Sequence, residues 1–175
     1  MILVNGVATD AVPVTDRGLA YGDGLFETMR ARNGRLPLLD YHLERLYRGL
    51  QVLGFAGVPR DTLIAELHIA AASVPDGVLK LIITRGSGNR GYAIPAETET
   101  RRIVIAGEFP EHIAAWNENG ISLRFCSTVL EGPHALDGLK HLNRLAQVLA
   151  RGEWRDPDIQ EGLMRDVGGN IVEGT

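Results

Sequence analysis

Hydrophobic and polar positions divide the chain into short strand patterns and longer helical patterns. Strand-like segments occupy residues 2–14, 25–32 and 35–39. Asn-Gly dipeptides at 5–6 and 33–34 favour tight turns between antiparallel strands. These segments therefore predict two β-hairpins, separated by a glycine-rich turn.

The strand after the glycine-rich turn has two different faces. Side chains alternate along a strand, so Phe26 and Thr28 share one face. Leu25, Glu27 and Met29 take the opposite face.

Two helical patterns follow the hairpins. Residues 41–55 carry leucines at every third or fourth position, which predicts an amphipathic helix with Asp40 as its cap and Gly54 at its end. Residues 59–74 predict a second amphipathic helix, for which Asp61 is the expected cap.

The remaining patterns complete an α+β chain. They predict strands at 77–84, 101–110, 121–130, 161–167 and 170–175, a short helical stretch within 110–120, and a helix at 141–154. Because runs of strands and runs of helices are segregated, the fold class is α+β.

The pattern also predicts two domains. We expect a small N-terminal α+β domain at 1–110, a linker at 111–120, and a larger β-rich C-terminal domain that begins with residues 121–175. The last region offers one helix and about three strands, and it ends on an apolar strand of the kind that complete proteins rarely leave bare. We therefore expect this domain to be incomplete, in a chain that stops short of the protein's true end.

Composition and charge are those of a soluble globular protein. Of the 175 residues, 45% are hydrophobic and 23% are charged, and the net charge of −4 gives no electrostatic basis for binding nucleic acid or an anionic membrane. The N-terminus lacks the features of a signal peptide, and no apolar run approaches the roughly 18 residues of a membrane span. A single cysteine, Cys126, can form no internal disulfide. We therefore expect a cytoplasmic protein.

Lys140 stands at the predicted start of the helix at 141–154, among leucines. A cation at this end of a helix meets the positive end of the helix dipole, and an apolar setting favours the neutral amine that attacks carbonyl carbons. The alternative is a solvated surface lysine.

Arg45 and Glu173 are also candidates for chemistry. Arg45 lies beside the apolar stripe of the first helix, where its stem covers hydrophobic neighbours or its planar fork binds a phosphate. Glu173 shares a strand face with Ile171, so its carboxylate is either exposed to water or paired with a cation.

The stretch RGSGNRGY (85–92) follows a strand and combines three glycines with two arginines and a tyrosine. It lacks the ending of a phosphate-binding P-loop, and no helix follows as in a dinucleotide fingerprint. It is either a flexible loop or an anion-recognising lid. The five histidines, among them His134, show no metal-ligand spacing, so no metal is expected.

Five segments, taken together, resemble the class IV (fold-type IV) aminotransferase family of pyridoxal 5′-phosphate (PLP) enzymes. They are TDRGLAYGDGLFETMR, HLERLYRGLQVLG, RGSGNRGY, LKHLNRLAQVLAR and NIVEGT, in the family's order and over nearly the whole chain. The resemblance implies a two-domain α+β enzyme that binds PLP, acts on a small-molecule substrate and forms a homodimer.

The resemblance also implies roles for single residues. Lys140 would bind the cofactor covalently and move protons at the substrate, Arg45 would bind the cofactor phosphate, and Glu173 would bind the pyridine nitrogen. A carboxylate in that place keeps the nitrogen protonated, which lets the ring accept electrons. Thr28 would be a second catalytic residue. Weaker candidates for substrate binding are Phe26, Arg90, Tyr92 and Arg144.

Within the family, the chain is most similar to the lyases that convert 4-amino-4-deoxychorismate into 4-aminobenzoate and pyruvate for folate synthesis. The similarity rests on the segments GDGLFETMR, LKLIITRGSGNRGY and GLKHLNRLAQVLAR, in which Arg144 after Asn143 favours the lyase. Two alternatives stay open. One is a PLP-dependent transaminase of D-amino or branched-chain amino acids, and the other is a non-catalytic fragment.

Overall fold

The structure is a computed structural model that describes residues 1–55, 57–131 and 135–175. It divides into two compact units, Met1–Phe109 with Leu139–Leu142, and Pro110–Gly138 with Asn143–Thr175. His134, one of the histidines considered above, lies outside the described residues.

The first unit contains one antiparallel sheet and three helices. Its strands are β1 (Ile2–Val4), β2 (Val7–Ala8), β3 (Gly24–Arg32), β4 (Asp76–Thr84) and β5 (Arg101–Glu108). Its helices are α1 (Arg17–Tyr21), α2 (Leu39–Val52) and α3 (Arg60–Ala72). The strands follow the order β2-β1-β5-β4-β3, which leaves β3 at one edge of the sheet.

The core lies between one face of this sheet and helices α2 and α3. The leucine stripe of α2 is buried as predicted, and so are alternate residues of β4. The alternation predicted along β3 is confirmed, because Leu25, Glu27 and Met29 are buried whereas Thr28 is exposed.

The two Asn-Gly turns form as predicted, but only one of them joins two strands. The residues Asn5, Gly6, Asn33 and Gly34 all have positive φ, the conformation that this type of turn requires. The strand predicted at 35–39 is wrong. Only an isolated bridge forms there, because Pro37 offers no N–H to a ladder and α2 begins two residues later.

The predicted helix caps are also wrong. The N-cap positions of α2 and α3 are Leu38 and Pro59, so Asp40 and Asp61 lie in the first turn. There they still interact favourably with the helix dipole. In the segment predicted as a glycine-rich turn, α1 forms with Asp16 as a true cap.

The second unit contains a three-stranded sheet and two helices. The elements are α4 (His112–Asn119), β6 (Leu123–Leu130), α5 (Leu145–Arg151), β7 (Glu161–Asp166) and β8 (Ile171–Gly174). Strand β7 is central, parallel to β6 and antiparallel to β8. The helix α4 occupies the segment expected as a linker. None of the described helices combines the length and the apolar character needed to cross a membrane.

Candidate active site

Lys140 lies in an extended segment that pairs with the edge strand β3 of the first unit. The backbone N–H of Phe26 donates to the carbonyl oxygen of Lys140 at 2.8 Å, and that of Leu142 donates to Gly24 at 3.0 Å. The predicted position of Lys140 at a helix start is therefore wrong, because α5 begins only at Leu145. The helix dipole gives no account of this lysine.

The pairing places the side chain of Lys140 on the face of the sheet that carries Phe26. Its Nζ lies 4.5 Å from the centroid of the Phe26 ring. Thr28 shares this face, and its partner on β4 is Lys80, whose Nζ lies 5.4 Å from the same ring centroid. The first unit thus brings three predicted residues together. Sequence reasoning did not identify Lys80 as a candidate site residue, although it is the single charged residue in the apolar run VLKLIIT.

Arg45 extends from α2 and binds Glu27 of β3 through two hydrogen bonds. Its Nε and Nη2 donate to the two carboxylate oxygens at 2.7 Å and 2.5 Å. These bonds raise the pKa of Arg45. The Nδ1 of His42 lies 2.8 Å from Oε2 of the same carboxylate. Sequence reasoning selected Arg45 but missed its partner, although an acid on an apolar strand face is a usable signal.

The glycine-rich loop at 85–92 is held by the buried side chain of Arg17. Its guanidinium donates to three successive carbonyl oxygens of this loop and its end, those of Gly91, Tyr92 and Ala93. Tyr92 itself is exposed, as is Arg90. The loop backbone is therefore anchored to the first unit, while the two predicted substrate-binding side chains point away from the core.

Asp23 connects this loop to the rest of the unit. Its carboxylate accepts hydrogen bonds from Arg17 and Arg85, and both arginines are buried. Burial opposes the charged form of Asp23, but the two arginines outweigh that effect and lower the pKa of its carboxyl group.

Glu173 lies on β8 in the second unit and is bonded to residues at the start of α5. Its Oε1 accepts from Nε2 of Gln147 at 2.6 Å and from Nη1 of Arg144 at 3.4 Å. Of the two sequence alternatives for Glu173, pairing with a cation is the one found. Arg144, predicted to contact substrate, is that cation.

The three predicted cofactor residues each carry a group that suits PLP. Lys140 offers a primary amine beside an aromatic ring, for an aldehyde. Among the described residues, Nη1 of Arg45 takes part in no hydrogen bond, so it remains to donate to a phosphate. Within the same described part of the chain, Oε2 of Glu173 also takes part in none, so it remains to accept from a protonated pyridine nitrogen. Within its own unit, each side chain fits its expected role.

A cavity of about 400 Å³ in the second unit contains none of the predicted residues. It is lined by Trp116, Arg151, Trp154, Arg155, Asp156, Pro157, Ile159 and Gln160.

Known proteins similar to this chain include lyases and transaminases. The aminodeoxychorismate lyase of Vibrio harveyi is 34% identical over 176 residues, which are 100% of this chain and 65% of the relative. The D-alanine aminotransferase of Bacillus licheniformis is 31% identical over 171 residues, 94% of this chain and 58% of the relative. The crystal structure of the 4-amino-4-deoxychorismate lyase of Pseudomonas aeruginosa matches with a TM-score of 0.87 and 49% identity, over 99% of this chain and 64% of that one.

The family assignment follows from the sequence profile of class IV amino-transferases, which matches residues 24–175. The family resemblance and the α+β fold inferred from the sequence are confirmed, and PLP is the cofactor of this family. The chain spans slightly less than two thirds of the length of the two lyases. It belongs to the class IV aminotransferase family.

Proposed function

We propose that the protein is a PLP-dependent lyase that converts 4-amino-4-deoxychorismate into 4-aminobenzoate and pyruvate. The observation that carries the proposal is the 49% identity to the Pseudomonas aeruginosa lyase over nearly the whole of this chain. The segments GDGLFETMR, LKLIITRGSGNRGY and GLKHLNRLAQVLAR, with Arg144 directly after Asn143, support the lyase over its transaminase relatives.

Lys140 is proposed as the residue that binds the cofactor and moves the proton. When bound, PLP supplies an electron sink next to the carbon that bears the substrate amine. The Nζ of Lys140 removes the proton from that carbon, and the bond between the ring and the oxygen of the enolpyruvyl group then breaks, which aromatises the ring. The departing enolpyruvate takes up a proton and becomes pyruvate. The pairing of residues 139–142 with β3 supports this role, because a backbone held at a sheet edge fixes the origin of the lysine side chain.

The other predicted residues are proposed to bind and orient. Arg45 binds the cofactor phosphate with the donors that Glu27 leaves unused, and Glu173 accepts from the pyridine nitrogen. Thr28 presents an exposed hydroxyl on the face of Lys140 and assists proton transfer.

Aromatic and cationic side chains are proposed to recognise the substrate, which is a dicarboxylate. Arg90, Tyr92 and Arg144 supply donors for carboxylate oxygens. The ring of Phe26 limits the access of water to the amine of Lys140.

A transaminase is the second candidate function. The 31% identity to a D-alanine aminotransferase favours it, because it extends over 94% of the chain. Transaminases of D-amino or branched-chain amino acids would use the same lysine, arginine and glutamate.

We also propose that the protein is a homodimer located in the cytoplasm. Sedimentation of the intact protein tests the homodimer.

Product analysis of the intact protein tests the proposal. With PLP and 4-amino-4-deoxychorismate, we expect equal amounts of 4-aminobenzoate and pyruvate, measured by chromatography and by a coupled dehydrogenase. A transaminase would instead convert bound PLP into pyridoxamine phosphate when given D-alanine or a branched-chain amino acid. That conversion without 4-aminobenzoate would overturn the lyase assignment. If neither 4-aminobenzoate nor pyridoxamine phosphate forms, the result favours the non-catalytic fragment.

A further inference from the structure

Glu27 is a charged residue on a strand face that otherwise forms the hydrophobic core. It lies between Leu25 and Met29, both 2% exposed, and is itself 0% exposed. Removing a carboxylate from water is costly unless other groups bind it. The three hydrogen bonds from Arg45 and His42 meet that requirement.

Stability alone does not account for a buried carboxylate at this position. Replacing a buried ion pair with apolar residues of similar volume is often neutral or stabilising. The period-two pattern of β3 would accept a leucine or a methionine here, as it does on either side. Packing alone therefore does not explain the charged residue, and the feature that an apolar one would not supply is its pair of hydrogen bonds with Arg45.

The hydrogen bonds of Glu27 fix the orientation of Arg45. The edge of the guanidinium formed by Nε and Nη2 faces the carboxylate, so Nη1 is directed away from it. The side chain of Arg45 is 42% exposed, and an exposed arginine that lacks such a partner samples many rotamers. His42 donates to the same carboxylate from the preceding turn of α2, which holds the acceptor in place.

We propose that Glu27 is a positioning residue that holds Arg45 ready to bind the phosphate of PLP. This proposal rests on the function proposed above. Two effects of Glu27 on a phosphate oppose each other. Its negative charge weakens the attraction of Arg45 for an anion, whereas its two hydrogen bonds remove the cost of ordering the arginine. We infer that ordering dominates, because phosphate binding by arginine depends on a correctly held planar fork.

The test compares PLP with pyridoxal, which lacks the phosphate. Both aldehydes are titrated into the intact wild-type protein and into Glu27→Gln, and absorbance gives their dissociation constants. We expect PLP to bind about tenfold more weakly to Glu27→Gln, the loss of a charge-assisted hydrogen bond, while pyridoxal binds as it does to wild type. The ratio of the pyridoxal dissociation constant to the PLP dissociation constant therefore falls about tenfold.

Two further variants separate positioning from a purely structural role. Glu66→Gln is the matched control, because Glu66 is also buried in the first unit and also holds an arginine, Arg102, through a fork of hydrogen bonds. It should lower the melting temperature but leave the ratio unchanged. In an Arg45→Ala background, Glu27→Gln should change the ratio no further.

An unchanged or increased ratio in Glu27→Gln would overturn the proposal, and so would an equal fall in Glu66→Gln. Should Glu27→Gln not fold, Glu27→Asp keeps the charge but is one methylene too short to hold the fork. It should lower the ratio by about threefold or more, and an unchanged ratio would overturn the proposal equally. Failure of the proposed function would give a different result. In that case, Lys140→Ala would bind PLP with the same absorbance as the wild-type protein.

Discussion

The backbone N–H of Phe26 donates to the carbonyl oxygen of Lys140, and the Nζ of the lysine lies 4.5 Å from the centroid of the phenylalanine ring. One residue thus contacts Lys140 with both its backbone and its side chain. Since β3 is anchored in the sheet through β4, the position of this lysine depends on the packing of that edge.

Gly24 makes close approach at this edge possible, and Gly24→Ala should disturb it. A Cβ there would overlap the carbonyl oxygen of Ile83 and the Cδ1 of Leu142. We expect a loss of about 1–3 kcal/mol in the free energy of unfolding, the usual cost of overpacking. Urea denaturation measures it. Gly107→Ala on β5 is the control, because a Cβ there meets no atom within 4 Å, and an equal loss in both variants would contradict this account.

Arg17→Ala should release the loop that carries Arg90 and Tyr92. The substitution leaves three loop carbonyls without their donor and should cost about 3 kcal/mol of stability. Hydrogen exchange measures the release as faster exchange of the loop amides. In contrast, Arg60→Ala removes an exposed ion pair and should change stability by less than about 0.5 kcal/mol. Slow loop exchange in Arg17→Ala would show that other contacts anchor the loop.

Glu153 should make the stability of the protein depend on acid pH. Its carboxylate accepts hydrogen bonds from the backbone of Ser127 and from Thr128, and these bonds lower its pKa from 4.5 to about 2. A pKa that is lower in the folded state contributes stability above the unfolded value, and this contribution is lost as pH falls from 4.5 towards about 2.

The measurement is the urea midpoint at pH 6 and at pH 3. Between these values Glu153→Gln should lose less stability than wild type, because the glutamine does not titrate. The exposed Glu118→Gln on α4 should keep the wild-type pH dependence. If Glu153→Gln follows wild type at both pH values, the hydrogen bonds of Glu153 contribute nothing to stability.

Local patterns predicted most elements of this fold. The period-two alternation of β3 and the leucine stripe of α2 each reflect which side of an element faces the core, which a short window of sequence records. The caps at Asp40 and Asp61 failed because an acid stabilises the first turn of a helix almost as well as its cap, so the residue type does not fix the boundary.

The setting of Lys140 could not be predicted from its neighbours. Its backbone pairs with Phe26, which is distant in sequence, and no local periodicity reports such pairing. The link between Glu27 and Arg45 was missed for a similar reason. Each residue was noticed separately, on a strand and on a helix, but only packing brings them within hydrogen-bonding distance. The catalytic roles themselves remain predictions.

Borohydride reduction of the intact protein with PLP, followed by peptide mass mapping, tests the central claim most directly. We predict a phosphopyridoxyl group on Lys140, retained in Lys80→Ala and lost in Lys140→Ala. A label on Lys80, which approaches the same phenylalanine ring, or no label at all, would contradict the account.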